Sequence, residues 1–517
     1  MAKQSFLKGA FILMIAGMVT KILGMVNKIV LARIIGDEGI GLYSMAYPTL
    51  LLTVTLTQLG LPVAISKLVA EAAASDNRRK IKRVLTVSFF VVGTLSVVFT
   101  IGLMLLAPIF AHVLFTDERT LYPLLAITPI IPIVGGASVL RGYFQGMQNM
   151  SPYAFSMVIE QIIRISLVST LAMALLPYGI EYAAAGAMIS GVIGELVSLL
   201  YMIWMFKAKK RIKIRKQFWD YLGKGKETFN QLMRIALPAT GSRLIGSVSN
   251  FLEPIVIAQS LALAGMATSL ATKQYGELVG FAIPLLTLPS FITHSLYVSL
   301  VPTISEAAAK RRMDIVHFRV NQAAKIAMIA GGLSIVVSFV FAKPIMTLMY
   351  HSPQSAIYVY TIAPFFFFFY FQAPFAAVLQ ALDLAKAAMI NSLIGAVVKI
   401  LTILFLASRP DLGIMGAAIG YAVAVVLVTL LHLATVIKSI GFSLAIVDYI
   451  KGIFAMLATG WAARFIDRWL FTDWKMLPRT LILITITAVI YLFLILFIKL
   501  LRKEEIANLP IIGKWVA

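Results

Sequence analysis

Lys21 and Arg243 each interrupt a long apolar run, and the residues around them match: Thr20-Lys21-Ile22-Leu23-Gly24 in one, Ser242-Arg243-Leu244-Ile245-Gly246 in the other. A cation in such a place does one kind of chemistry well: it replaces the water that an anion loses. A lone charge at mid-bilayer costs about 2.5–3.5 kcal/mol on insertion scales, so it faces a bundle interior or a watery cavity. Lys28 is seven residues from Lys21 and shares its helix face, with Asn27 beside it. Arg164 and Lys399 are further cations in apolar segments. Glu160 precedes Arg164 by four residues, the better orientation for a helical ion pair. Gly395 stands in that place before Lys399, which makes Lys399 the stronger candidate for anion contact or for pairing between lobes. Glu195, Glu253 and Glu277 are the other acids in apolar runs, candidates for ion pairs or for proton or sodium coupling.

Other chemistries lack their residues. The chain has no cysteine, hence no thiolate ligand, disulfide or cysteine nucleophile. His294, His351 and His432 are scattered with no zinc-like spacing, and no Gly-x-x-x-x-Gly-Lys-Ser/Thr loop is present to cradle a nucleotide. No cofactor and no metal are expected. A net charge of +23 suggests nucleic acid until its distribution is read. The positive residues cluster in alternate loops: Arg78 to Arg83, Lys207 to Lys216, Lys310 to Arg312, and Lys499 to Lys503. The intervening loops are acidic or mixed, as in Asp37-Glu38 and Asp117-Glu118-Arg119. That alternation follows the positive-inside rule, placing both termini on the cytoplasmic side, and leaves no nucleic-acid surface.

The elements that position these residues are membrane helices. With 60% apolar and 13% charged residues and a mean hydropathy of +0.92, the 517-residue chain is too apolar for an ordinary soluble protein. Its continuous runs predict an all-α polytopic membrane protein with about fourteen spans rather than a barrel of short alternating strands. The runs lie near 9–35, 41–70, 84–111, 121–146, 152–176, 183–206, 232–262, 275–301, 320–349, 356–381, 386–408, 413–437, 446–470 and 478–500.

The chain also repeats internally. Pro129, Gln145 and Arg164 map at one constant offset onto Pro364, Gln380 and Lys399, and Gly186-Ala187-Met188-Ile189 matches Gly416-Ala417-Ala418-Ile419. Six helices per repeat is an even number. Two lobes, 1–206 and 232–437, are therefore expected to be related by a pseudo-two-fold along the membrane normal, with a substrate site between them. A basic stretch, 207–231, is read as a cytoplasmic linker or amphipathic surface helix that attracts anionic lipid. Residues 438–517 add two helices and a tail, with Trp461, Trp469, Trp474 and Trp515 as interfacial anchors. The aromatic run from Phe365 to Phe371 reads as packing or lipid-facing surface rather than a substrate platform.

The segment Val139-Leu140-Arg141-Gly142-Tyr143-Phe144-Gln145-Gly146-Met147-Gln148-Asn149-Met150-Ser151-Pro152, continuing to Glu160-Gln161-Ile162-Ile163-Arg164, resembles the MurJ and polysaccharide-flippase branch of the multidrug/oligosaccharidyl-lipid/polysaccharide exporter superfamily. Leu61-Pro62-Val63-Ala64-Ile65-Ser66-Lys67 and Val301-Pro302-Thr303-Ile304-Ser305-Glu306 are similar to the same branch. The likeness runs through essentially the whole chain, and at closest range it is to sporulation members of the branch. It implies a V-shaped pair of six-helix lobes around a cationic cavity, with the last two helices forming a groove for a lipid tail. Lys21 fits the branch's helix 1 pattern of Ser/Thr-Arg/Lys-x-Leu-Gly. Asn27 stands where many MurJ proteins have a second arginine, Lys28 where they have an acid, and Leu52-Thr53 where their helix 2 is basic; Glu277 lies near an expected arginine.

The expectation from residues and resemblance together is a flippase in the cell membrane, not an enzyme. Its substrate would be an undecaprenyl-pyrophosphate-linked sugar such as lipid II, moved to the outer leaflet by alternating access for peptidoglycan synthesis during spore formation. Lys21, Arg243 and Lys399 would contact phosphate, with Lys28, Arg164 and Asn27 in support. The expected partners are the lipid-linked oligosaccharide, membrane lipids and cell-wall synthases. Two alternatives stand: an exporter of organic cations coupled to protons or sodium, which would want acids in its cavity, and a membrane glycosyltransferase or polymerase acting on the same lipid.

Overall fold

A continuous apolar run in hydrocarbon must satisfy its own backbone, and the helix does so within one segment. The computed structural model describes residues 6–208, 218–223, 225–443, 445–469 and 474–500, and the side chains within them except at 6–11, 218–220 and 242. Most of the basic stretch (Lys209, Lys210, Arg211, Lys213, Arg215, Lys216), Arg502, Lys503 and Trp515 lie outside the described residues. The chain forms two compact units, Met1–Gly276 and Glu277–Ala517.

The first unit contains α1 (Phe6–Gln58), α2 (Leu61–Ala74), α3 (Arg78–Ile109), α4 (Leu121–Ile127), α5 (Ile130–Gly146), α6 (Ser151–Leu175), α7 (Ile180–Ala208), α8 (Phe218–Gly223), α9 (Lys226–Leu263) and α10 (Thr268–Tyr275). The second contains α11 (Ile283–Thr287), α12 (Ser290–Ala309), α13 (Met313–Val340), α14 (Ala342–Tyr350), α15 (Ala356–Phe366), α16 (Phe369–Ala381), α17 (Ala385–Ala407), α18 (Ile414–Ile440), α19 (Ile446–Trp469) and α20 (Met476–Phe497).

Twelve stretches among the described residues are long and apolar enough to cross a bilayer, or thirteen if the pair Thr268–Thr287 and Ser290–Ala309, bent by 53°, counts as one span. The first stretch, Ile12–Ala74, has 63 residues. At about 1.5 Å per residue it is roughly three times the ~30 Å hydrocarbon thickness and must account for two crossings. The total comes close to the fourteen expected. The bend that divides this stretch is at Gly36, whose φ of 67° and ψ of −171° suit a residue without Cβ. Asp117 anchors the same region. Its carboxylate, 3% exposed, accepts from Arg119 Nε at 3.0 Å and from Thr272 Oγ1 at 2.7 Å, while Arg119 Nη1 reaches Glu38 at 2.8 Å.

The internal repeat is visible in how each unit packs. In the first, α4 breaks into α5 around Thr128-Pro129; in the second, α15 breaks into α16 around Phe367-Phe368. The pair α6–α7 is matched by α17–α18, and the same glycine makes both close. A Cβ on Gly186 would lie 2.8 Å from the Leu171 carbonyl oxygen, and one on Gly416 would lie 2.4 Å from the Leu406 carbonyl carbon. Lipid tails are as apolar as leucine, so such small-residue contacts, where backbones approach closely, supply much of helix association in a bilayer.

The core of the first unit lies between α2, α3, α5 and α9, around Leu61, Ile65, Leu85, Leu140, Leu232 and Ala236. That of the second lies between α12, α13, α16 and the last two helices, around Ile304, Met328, Phe375, Ala455 and Tyr491. α9 begins at Lys226 and α7 runs to Ala208, so the helices extend into the stretch expected to be linker, and α8 adds a turn and a half within it.

Gly186→Ala and Gly416→Ala should each lower stability by about 1–3 kcal/mol, the usual penalty of overpacking. Gly93→Ala, where an added Cβ meets nothing within 4 Å, should be neutral or stabilising by up to about 1 kcal/mol. Unfolding of the purified proteins in detergent measures the difference, and equal stability of all three variants would contradict the packing described.

Candidate functional site

Three helices of the first unit bring charged groups to one buried place, and a fourth faces them. α5 contributes Arg141, α6 contributes Glu160 and Arg164, α7 contributes Glu195, and α1 faces them with Tyr43, Tyr47 and Gln58. Together they line a cavity of about 200 Å³, room for roughly six waters at ~30 Å³ each. Arg141 Nη2 donates to Glu195 Oε1 at 2.5 Å and Arg164 Nη2 to Glu160 Oε1 at 2.5 Å. All four side chains are largely withdrawn from solvent, 19%, 5%, 16% and 14% exposed in that order. All four side chains line the one cavity, so the two pairs form one cluster. The Nε atoms of Arg141 and Arg164 are buried with no hydrogen-bond partner among the described residues. The Arg141 guanidinium further sits 5.5 Å from the ring centroid of Tyr153.

The local sequence explains why α6 and α7 can carry these charges so close together. Gly191 and Gly194 give α7 a bare face. A Cβ on Gly194 would stand 2.8 Å from the Glu160 carbonyl oxygen, and one on Gly191 would stand 3.5 Å from Arg164 Nε. The expected ion pair between Glu160 and Arg164 is therefore present, but it is half of a larger arrangement. Arg141 was not among the sequence candidates. It lies five residues from the end of α5, within apparent snorkelling reach of an interface, and its partner Glu195 is 54 residues away, beyond any local spacing rule.

The other candidates are distributed. On α1, Asn27 is buried, Lys28 half-buried and Lys21 exposed on the protein surface. The Oδ1 atom of Asn27 is buried and has no hydrogen-bond partner among the described residues. Arg243 is exposed on α9, one turn from Ser247, whose hydroxyl meets that of Thr55 on α1 at 2.9 Å. Glu253, also on α9, is buried within electrostatic reach of Tyr275.

In the second unit the Lys399 ammonium lies 5.3 Å from the ring centroid of Tyr421, a cation–π distance. Glu277 occupies a π-helical turn, buried, and accepts from Gln354 at 3.1 Å and Tyr358 at 3.2 Å. No group of three or more His, Asp or Glu suited to a metal occurs among the described residues.

The second unit also holds a larger and quite different cavity. It measures about 710 Å³ and is apolar, walled by Val336 and Phe339 of α13, Phe367 and Phe368 at the α15–α16 break, and Leu457 and Trp461 of α19. Arg464 lies at it, 5.3 Å from the Phe339 ring centroid. Lys325 and Asp448 join α13 to α19 at 2.7 Å. Trp461, itself largely exposed, contributes to the wall of this groove, and Trp469 and Trp474 are likewise exposed, near helix ends where interfacial anchors belong.

Comparison with known proteins gives a consistent picture. The family described as "Polysaccharide biosynthesis protein" matches residues 6–308, and the MatE family matches 254–405. Stage V sporulation protein B of Bacillus subtilis (strain 168) is 54% identical over 516 residues, covering 100% of both chains. The lipid II flippase MurJ of the same organism is 24% identical, over 81% of this chain and 80% of its own. A solved structure of lipid II flippase MurJ in an inward closed conformation superposes with a TM-score of 0.72 at 15% identity, covering 95% of this chain and 100% of that one.

Replacing Arg141 by leucine should strip Glu195 of its partner and cost on the order of 3 kcal/mol, because an uncompensated charge is left buried. Arg141→Leu combined with Glu195→Leu should recover most of that loss. Chemical unfolding of the two variants in detergent tests the coupling, and a double variant no better than the single would break the assignment.

Proposed function

Since the chain belongs to the polysaccharide biosynthesis protein family, in the MurJ and polysaccharide-flippase branch of the multidrug/oligosaccharidyl-lipid/polysaccharide exporter superfamily, we propose that this multi-pass membrane transporter flips an undecaprenyl-pyrophosphate-linked sugar. The substrate in this reading is lipid II, supplied to the outer leaflet for spore cortex synthesis. The observation that carries it is the arginine-bearing cavity built from helices that are themselves long and apolar enough to cross a membrane.

The physical problem is a diphosphate and a sugar crossing hydrocarbon. Cations and hydrogen-bonding groups inside the bundle replace the headgroup's lost hydration, and guanidinium forks suit phosphate oxygens particularly well. The polyprenyl chain needs no such help, and the apolar groove beside α19 suits it. We assign phosphate contact to Lys21, Arg243 and Lys399, with Lys28, Arg164 and Asn27 supporting. The functional lobes in this scheme are the sequence repeats 1–206 and 232–437, with both termini cytoplasmic and alternating access carrying the headgroup across. Cell-wall synthases would consume the product. The fold likeness to multidrug transporters leaves organic-cation export as the reading to beat.

Proteoliposomes carrying lipid II provide the test. The wild-type protein should flip it, and Lys21→Ala or Arg243→Ala should reduce the rate at least tenfold, about 1.4 kcal/mol of lost stabilisation, with normal membrane insertion. Dye efflux without lipid movement would favour the exporter, and unaltered flipping in both variants would refute their roles. Gly460→Trp, which fills the groove, should slow flipping of the long-chain substrate more than that of a short-chain analogue.

A further inference from the structure

The buried cluster in the first unit has features that plain ion-pair glue does not require. Glu160 and Glu195 line the same small cavity, so two carboxylates and two arginines meet in a space of about 200 Å³. Each is also bound to an arginine at 2.5 Å. Each of those arginines spends Nη2 on its carboxyl and keeps a buried Nε without a partner among the described residues. A guanidinium carries five donors in a rigid fork, and the Nε–Nη edge is the one that grips a phosphate bidentately. The cavity between them is small, polar on this side, and lined on the facing helix by the phenols of Tyr43 and Tyr47 and the amide of Gln58. Among the described residues no other charged side chain lines it.

The charge count follows from these groups. With both carboxyls ionised the two arginines are neutralised and the cluster carries no net charge. With one proton on the pair the cluster is +1, and one arginine edge is released. An anion arriving in the cavity then takes the place of the carboxylate that the proton has neutralised. We propose that Glu160 and Glu195 are a proton site linked to anion binding, taking up one proton as a phosphate oxygen of the substrate engages Arg141 and Arg164, and giving it back when the phosphate leaves. The balance closes: one N–H···carboxylate pairing is exchanged for one N–H···phosphate pairing, and the proton, drawn from water, sits on the carboxyl pair only while the phosphate is bound. This rests on the phosphate-bearing substrate proposed above, and it adds Arg141 and Glu195 to the binding machinery together with a source of pH dependence.

Farnesyl diphosphate is a suitable probe, with farnesol as the control that lacks phosphate. Calorimetric titration of the full-length protein in detergent, repeated in buffers of different ionisation enthalpy, reads the protons taken up on binding. The wild type should show net uptake and an affinity that rises by up to about tenfold per pH unit on acidification, the limit for one linked proton. Combining Glu160→Gln with Glu195→Gln, isosteric changes that keep a hydrogen-bond acceptor for each arginine, should abolish the uptake beyond that of the diphosphate itself. It should also hold affinity near its acid value at all pH. Either single variant should reduce the uptake. Infrared difference spectra between acid and alkaline samples should show a protonated carboxyl band in the wild type that the double variant lacks, a signal that mere packing would not produce. Binding with the same uptake in wild type and double variant would overturn the linkage alone. Failure of the wild type to bind the diphosphate at any pH would overturn the linkage and the headgroup reading together.

Discussion

A charge held inside hydrocarbon needs either water or an opposite charge within reach, and this requirement organises the first unit. Arg141, Glu160, Arg164 and Glu195 come from three helices, and none could be carried alone at modest cost. The Arg141–Glu195 pair ties α5 to α7, while the Glu160–Arg164 pair lies within α6 and faces the same cavity. The approach of α6 to α7 is possible only because α7 presents Gly191 and Gly194 where a larger residue would strike the α6 backbone or crowd its arginine. Polar chemistry and close packing are here one constraint: the bare face brings the charges together, and the charges penalise any arrangement that separates them.

The second unit solves a complementary problem. Its cavity of about 710 Å³ is apolar, and a cation stands at it rather than inside a network of acids. Around that groove the helices are tied by Lys325 and Asp448 and by aromatic packing from Phe367 to Phe375. A headgroup and a tail ask opposite things of a protein, hydration substitutes for one and dispersion contacts for the other. The two units, each taken by itself, offer one of each.

Much of the architecture was legible in the residues because membrane helices announce themselves by length and composition. The spans and the repeat carried by Gly186 and Gly416 came from local pattern, and the structure adds the Gly36 bend that divides the first two spans. The Glu160–Arg164 pair was legible too, since four residues on a helix is a distance as much as a spacing. Arg141 with Glu195 was not, because nothing local joins residues 54 apart. Trp461 was read as an anchor from its place near a helix end. The structure adds that it also walls a groove together with α13, a neighbour no local pattern reveals.

What the sequence by itself determined was the solvent and the element: a chain this apolar lives in a bilayer, where backbone hydrogen bonding admits helices, and its paired motifs declare a duplication. Which intramembrane charges meet was decided only by the tertiary structure. Coulomb energy depends on distance in space, and distances between helices are set by small residues on facing surfaces that no single segment can reveal.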